Sequence, residues 1–160
     1  MVPERVRALD ARAARGFTLA ELLAVIAMIG VLSVLAAPSL ISYWQVSTLQ
    51  AGAEELAAAV NRGRHLAISR NTTVCAQVSG TAITLRTGGC AGTVFTGIGT
   101  TAAGLIRLTG GMQVSFASGA SIVFTNLGAA STAATLRVTH PATGKTRDVV
   151  VSAAGQVRVQ

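Results

Sequence analysis

The sequence predicts an α+β protein with a long N-terminal transmembrane helix packed on a C-terminal antiparallel β-sheet domain. Three observations predict this fold. An apolar run near the N-terminus is long enough to cross a bilayer, the next segment repeats apolar residues with the period of a helix, and the rest consists of short β-rich runs separated by glycine turns. The chain of 160 residues has room for one such domain beside a membrane segment.

The membrane segment follows a basic flank. Residues 22–37 carry no charge, and together with residues 17–21 they form a helix-compatible stretch of 21 residues, about the length that spans the hydrocarbon core. The first 16 residues hold four arginines against two acids, an excess typical of the cytoplasmic side. A cleaved secretory signal is the alternative, but Pro38 follows the nearest small-residue site and disfavours cleavage there.

Beyond the membrane segment, the chain continues as an amphipathic helix. Apolar or small residues recur at helical spacing, at Val46, Leu49, Ala53, Leu56, Val60 and Ala67. This spacing predicts one buried stripe. Asn71 and the β-branched residues after it mark the end of the helix.

Eight short strands are predicted in the remainder. They cover residues 74–78, 82–86, 105–108, 112–116, 121–124, 136–139, 147–151 and 156–159. In the later strands apolar and basic residues alternate, as in Leu136, Arg137 and Val138, so we expect a sheet that is buried on one face and covered by the helix. Residues 87–103 and 128–134 are rich in glycine, alanine and threonine and are predicted to be loops.

Residues 16–21, Gly-Phe-Thr-Leu-Ala-Glu, followed by an apolar helix, resemble the prepilin motif of type IV pilins and type II secretion pseudopilins. The resemblance implies a pilin-like fold and a prepilin peptidase that cleaves between Gly16 and Phe17 and methylates the new amino terminus. The expected organisation is a leader at residues 1–16, a transmembrane and polymerisation half-helix at residues 17–42, and a periplasmic globular domain at residues 43–160.

Glu21 is the one carboxylate in the apolar run. On insertion scales a carboxylate at the bilayer centre costs about 2.5–3.5 kcal/mol, and less near the edge, so Glu21 needs a partner. The resemblance implies pairing with the amino terminus of a neighbouring subunit, which sets the register of a helical filament. The alternative is a signal-anchor helix that tolerates a carboxylate at its edge.

Several later residues resemble the GspH/FimT pseudopilins. They are Arg64, Ala67 and Arg70 before the first strand, Phe124 with Gly128, and the terminal run of Gly155, Gln156, Val157, Arg158 and Val159. The resemblance implies a minor subunit near the tip of a type II secretion pseudopilus or a type IV pilus, acting in filament initiation and protein secretion. Its implied partners are other major and minor pseudopilins or pilins, with the inner membrane as anchor before assembly.

Cys75 and Cys90 are the only cysteines, and both belong to the segment expected outside the cytoplasm, where oxidation is allowed. We therefore predict a disulfide between them. Two separate buried thiols are the alternative.

No pattern of an enzyme, a metal site or a cofactor site emerges. After residue 16 the chain has four acids, Glu21, Glu54, Glu55 and Asp148, and none is placed to form an acid and base pair. A zinc site at His65 and His140 lacks paired-ligand spacing. The Gly-Lys-Thr triplet at residues 144–146 lacks the glycine that a phosphate-binding loop needs at position 139, so a hairpin turn is expected.

Basic residues dominate the globular part, with nine against three acids from Tyr43 onward. This excess permits binding to DNA or to acidic partner subunits, or it keeps the domain soluble. The possible DNA-binding residues are Arg137, Lys145, Arg147 and Arg158, which can share a surface if the last strands are neighbours. Some FimT-type minor pilins bind DNA through a Gly-Arg-x-Arg motif, in which Gln156 replaces the first arginine here.

Overall fold

The computed structural model describes residues 17–160, so the predicted leader and its cleavage residue Gly16 lie outside the described residues. The chain divides into two units between Ile41 and Ser42, so the described residues fall into a first unit, 17–41, and a second unit, 42–160. Helix α1, Leu19–Ser69, contributes its first part to one unit and its remainder to the other, and Pro38 lies within it.

In the first unit, the part that the structure describes is an apolar helix with every residue exposed. The mean hydropathy of its most apolar window is 2.5, and none of that window is buried. A helix that is apolar on all sides is stable only when lipid or other helices surround it. By length and composition, α1 is able to cross a membrane.

In the second unit, α1 buries one stripe of residues. The buried positions are Leu49, Gly52, Ala53, Leu56, Ala59, Val60, Gly63 and Ala67. The predicted stripe is therefore confirmed from Leu49 to Ala67, whereas Val46 is exposed. Gly52 joins the stripe because the Met112 side chain occupies the space of a Cβ there, with its Cγ 2.9 Å from the ideal position.

Within residues 17–160, nine strands form two antiparallel sheets. They are β1 (Val74–Ser79), β2 (Ala82–Thr87), β3 (Thr93–Val94), β4 (Leu105–Arg107), β5 (Gln113–Ser118), β6 (Ile122–Phe124), β7 (Ala134–Thr139), β8 (Thr146–Val151) and β9 (Val157–Val159). The first sheet has the order β3-β2-β1-β6, with β4 also pairing with β2, and the second has the order β5-β7-β8-β9.

All eight predicted strands are present, with bounds that differ by one or two residues. Strand β3 is the one that the sequence did not predict. It has two residues, Thr93 and Val94, inside a glycine-rich segment that was predicted to be a loop, and it exists by pairing with Thr87 and Arg86 of β2. A run this short has no alternation of its own to reveal it.

The core lies between α1 and the sheets. One apolar set comes from the first sheet, with Ile83, Leu85 and Phe124 fully buried. In the second sheet, Leu136 lies opposite Val149 in the register of β7 and β8, and both are buried. Directly opposed residues share a face, so this face of the sheet carries the core and the other faces outward. The prediction of a sheet buried on one face is confirmed.

A disulfide joins Cys75 of β1 to Cys90, with Cα atoms 4.9 Å apart. The predicted disulfide is confirmed, and the alternative of separate thiols is wrong. Side chains from β1 and β2 support the same loop, because Gln77 Nε2 donates to the Cys90 carbonyl at 3.4 Å and Arg86 Nη1 donates to the Gly92 carbonyl at 3.0 Å. The loop after β2 is therefore held against the first sheet.

Candidate assembly site

The start of α1 carries a reciprocal pair of side-chain contacts. The Glu21 backbone N–H donates to Thr18 Oγ1 at 3.2 Å. In return, Glu21 Oε2 accepts from the Thr18 backbone N–H and hydroxyl, both at 3.4 Å. A threonine before the first helical residue with a glutamate three positions later forms a capping box. This role of Thr18 was not predicted, although the Thr-x-x-Glu spacing in the sequence is its signal.

The capping box leaves part of the Glu21 carboxylate available. Both bonds from Thr18 go to Oε2, and Oε1 has no hydrogen-bond donor among residues 17–160. The one ion pair in that part of the chain joins Arg137 and Asp148, so no cation of these residues neutralises Glu21. Phe17, one residue before Thr18, is 82% exposed. The arrangement offers a carboxylate oxygen to an external cation beside an exposed aromatic residue.

In the second unit, three of the residues that resemble GspH/FimT proteins meet at one point, namely Arg64, Gly128 and Gly155. Arg64 of α1 donates from Nε to the Gly128 carbonyl at 2.9 Å. A Cβ on Gly155 would overlap that same carbonyl oxygen, and a Cβ on Gly128 would lie 2.7 Å from Ile68 Cδ1. Both glycines have positive φ, 82° at Gly128 and 75° at Gly155, a conformation that other residues adopt at a cost. The motif residues therefore fix two turns against the helix.

Arg137 and Asp148 form an ion pair on the outer face of the second sheet. They lie opposite each other in β7 and β8, and Arg137 Nε and Nη2 donate to the two carboxylate oxygens, each at 2.8 Å. The hydrogen bond from Arg137 holds the pKa of Asp148 below its usual range. Because this bidentate pair neutralises Arg137, that residue contributes little free charge to a DNA-binding surface.

The other candidate DNA-binding residues do not share one surface. Arg147 lies opposite Val138 in the register, so it belongs to the core-bearing face of the sheet. Lys145 precedes β8 in the hairpin, and Arg158 lies on the outer face opposite Val150. Strands β7, β8 and β9 are neighbours as the hypothesis required, but the expectation of a common surface is wrong for Arg147.

A shallow groove of about 290 Å³ lies beside Arg158 on the second sheet. It is lined by Val150, Ser152, Gln156, Arg158 and Gln160. Arg158 Nη2 donates to Gln156 Oε1 at 3.4 Å. Gln156, which stands at the first arginine position of the DNA-binding motif, therefore takes up one hydrogen-bond donor of Arg158.

No group of three or more His, Cys, Asp or Glu side chains within residues 17–160 could hold a metal ion.

Two protein families match the sequence. The type II transport protein GspH family matches residues 52–155, and the prokaryotic N-terminal methylation motif matches residues 11–37. The chain belongs to the GspH family of minor pseudopilins. The methylation motif implies processing by prepilin peptidase and assembly with other pilins, and its apolar helix fits anchoring in the inner membrane before assembly. Pseudopilins are structural subunits, not enzymes.

Solved structures of minor pilins and pseudopilins share the fold. The type IV minor pilin FimU of Pseudomonas aeruginosa has 20% identity and a TM-score of 0.54, covering 70% of this chain and 92% of its own. The minor pseudopilin EpsH from the type 2 secretion system of Vibrio cholerae has 13% identity and a TM-score of 0.53, and the match covers 70% of this chain and 95% of EpsH. No curated protein matches the sequence significantly. The pilin-like α+β fold predicted from the sequence is confirmed.

Proposed function

We propose that this pseudopilin is incorporated near the tip of a type II secretion pseudopilus or type IV pilus, where it acts in filament initiation and protein secretion. Cleavage between Gly16 and Phe17 removes residues 1–16, and the new amino terminus at Phe17 is methylated. Residues 17–42 then anchor and polymerise, and residues 43–160 form the periplasmic domain. The observation that carries the proposal is the Glu21 carboxylate, which no cation among residues 17–160 neutralises at the start of a fully exposed apolar helix.

Glu21 acts as the polymerisation residue by pairing with the amino terminus of a neighbouring subunit. Within hydrocarbon an uncompensated carboxylate is costly, and an ammonium from the next subunit removes that cost. The capping box restrains the carboxylate at the helix start, while Oε1 stays available for the incoming donor. Assembly is thereby favoured only in the register that brings the two charges together.

The charge of the chain, in addition to its family, supports a role as a minor subunit of the filament. From Tyr43 onward the chain has nine basic residues against three acids. Copies stacked side by side would repel one another through this excess, so a filament built only from this chain is disfavoured. A filament that contains a few copies of this chain among subunits of different net charge avoids most of this repulsion.

The test is to replace Glu21 with alanine and to measure how much of the chain enters filaments sheared from cells. We expect incorporation to fall strongly while membrane insertion persists, because the apolar helix is unchanged. Glu54→Ala is the matched control, since Glu54 is an exposed helix carboxylate whose partner is Gln50 of its own chain. Unchanged incorporation of Glu21→Ala would refute the polymerisation role.

Mass spectrometry of the mature chain should find a methylated Phe17 at the amino terminus.

DNA reception at a pilus tip, for natural transformation, is the alternative function. It is favoured by the exposed Arg158 beside a groove on the second sheet. It is weakened by the Asp148 partner of Arg137 and by the position of Arg147 on the other face.

A further inference from the structure

Two arginines, Arg62 of α1 and Arg70 directly after its last residue, lie over one aromatic ring at the edge of the first sheet. The guanidinium carbon of Arg62 is 5.4 Å from the centroid of the Phe95 ring, and that of Arg70 is 5.1 Å from the same centroid. Both distances are within the range of cation–π attraction. Phe95 packs against the core, and so does Leu66, which lies between the two arginines in the sequence. We call Arg62, Phe95 and Arg70 the arginine clamp.

The loop after Phe95 is shaped around this clamp. A Cβ on Gly97 would lie 2.8 Å from Phe95 Cζ, and a Cβ on Gly99 would lie 3.0 Å from Arg62 Nη1. Gly99 also has a φ of +79°. The two glycines therefore let the loop backbone approach the ring and the guanidinium closely. Between them Ile98 is 93% exposed, so the loop holds an aliphatic side chain in solvent next to the residues that approach Arg62.

No carboxylate of the described chain neutralises the clamp. None of the four acids among residues 17–160 forms an ion pair with Arg62 or Arg70. Glu21, Glu54, Glu55 and Asp148 have as hydrogen-bond partners Thr18, Gln50, Thr109 and Arg137 respectively. The two clamp charges are no more than 10.5 Å apart, the sum of their distances to the ring centroid. An anion that bridges them would relieve their mutual repulsion.

The chemistry of the patch fits a protein better than a nucleic acid. Guanidinium groups bind carboxylates through paired, charge-assisted hydrogen bonds. An isoleucine that is almost entirely exposed gains most from an apolar pocket, which a phosphate backbone does not offer. A second copy of this chain is a poor occupant, because its globular part also has a surplus of positive charge.

We propose that the arginine clamp and Ile98 form a docking surface for an acidic segment of a different filament subunit. Carboxylates of that segment bind Arg62 and Arg70, and an apolar pocket beside them receives Ile98. The inference rests on the proposed function, since it gives the chemistry of a partner in the filament.

The first test measures binding of a short fluorescent glutamate-rich peptide with central leucines to the full chain in detergent. Arg62→Gln and Arg70→Gln should each weaken binding by about threefold to fivefold, the upper part of the range for an exposed ion pair. The matched control is Arg107→Gln, which removes the same charge from an exposed position of β4 that contacts no ring. Arg62→Lys should be intermediate, because lysine keeps the charge but loses the planar fork.

An equal loss in Arg107→Gln, or no peptide binding at low salt, would overturn the proposal. A single-stranded oligonucleotide that bound more tightly than the peptide and depended on Arg62 would also overturn it, and would make the clamp a nucleic-acid site. Denaturant unfolding of each variant shows whether the fold is intact. Because peptide binding requires no filament, its failure leaves the role of Glu21 in assembly standing, and the reverse also holds.

A second test places a photo-reactive amino acid at position 98 in cells. We expect a crosslink to another pilin or pseudopilin, through a peptide that contains acidic residues, and its loss in Arg62→Gln. The same probe at position 127, where the native leucine is 84% exposed, is the control. Crosslinks only to copies of this chain would contradict the proposed partner.

Discussion

Gly155 shows how one residue joins three parts of the fold. Its φ of +75° turns the chain between β8 and β9, and its missing side chain leaves room for the Gly128 carbonyl that accepts from Arg64 of α1. The node of Arg64, Gly128 and Gly155 therefore depends both on backbone conformation and on close approach. These two requirements can be separated by comparing Gly155 with a glycine that has a positive φ but no close neighbour.

Gly155→Ala should destabilise the fold more than Gly144→Ala. Both positions have positive φ, and the conformational cost of alanine there is about 1–2 kcal/mol. At Gly144 a Cβ meets open space, whereas at Gly155 it overlaps the Gly128 carbonyl and forces a backbone shift. We expect the difference in the free energy of unfolding in denaturant to exceed about 1 kcal/mol. Equal losses would show that the close approach at Gly155 is not required.

The Arg137–Asp148 pair predicts a specific pH dependence. Arg137 lowers the folded-state pKa of Asp148 relative to the unfolded chain, so the pair stabilises the fold above the unfolded pKa. That stabilisation is lost as the pH falls through the lowered folded pKa, in the acid range below about pH 4. Asp148→Asn should remove this part of the acid destabilisation, and Glu54→Gln should leave it unchanged. The effect is small because the pair is exposed, and unfolding curves measured down to acid pH test it.

At the scale of elements, the disulfide supports the weakest part of the first sheet. It anchors the loop that connects β2 to the two-residue strand β3. Gln77 and Arg86 add hydrogen bonds to backbone carbonyls of the same loop. The segment leads directly to Phe95, so this anchoring also positions the ring of the arginine clamp.

Replacing both cysteines by alanine should reduce the free energy of unfolding by about 3 kcal/mol, the value expected for a closed loop of about 15 residues. Reduction of the unmodified chain should produce a similar loss, which separates the crosslink from the packing of the sulfur atoms. Denaturant unfolding of the full chain in detergent, with and without reductant, measures both. A loss below about 1 kcal/mol would mean that the hydrogen bonds to the loop hold it without the disulfide.

At the scale of the whole molecule, positive charge is spread over several surfaces. Arg137 is neutralised, Arg147 and Arg158 belong to opposite faces of the second sheet, and Arg62 and Arg70 lie over Phe95. This distribution disfavours one long basic stripe of the kind that follows a phosphate backbone.

For DNA, we therefore expect weak binding with a shallow dependence on salt, because few phosphates would be neutralised. A salt series with the full chain measures it, with Arg158→Ala as the decisive variant. Arg107→Ala removes the same charge away from the groove and is the control. Tight binding that falls steeply with salt and drops only in Arg158→Ala would instead support DNA reception at a pilus tip.

The sequence by itself determined the elements and the family. The charge-free run, the helical period of the buried stripe and the glycine turns predicted α1 and eight strands, because each signal depends on residues that are near one another in the chain. The Gly-Phe-Thr-Leu-Ala-Glu motif predicted the candidate assembly site for the same reason. The Thr18–Glu21 capping box is equally local, because its signal is the Thr-x-x-Glu spacing in the sequence.

Only the tertiary structure decided which distant residues meet. The register of β7 with β8 paired Arg137 with Asp148 and put Arg147 on the other face, because side chains alternate between the faces of a sheet. Strand β3 exists only through its partner β2, and Phe95 lies beside two arginines only because the folded sheet brings it to α1. A linear pattern carries no signal for such contacts, since they depend on the packing of elements far apart in the chain.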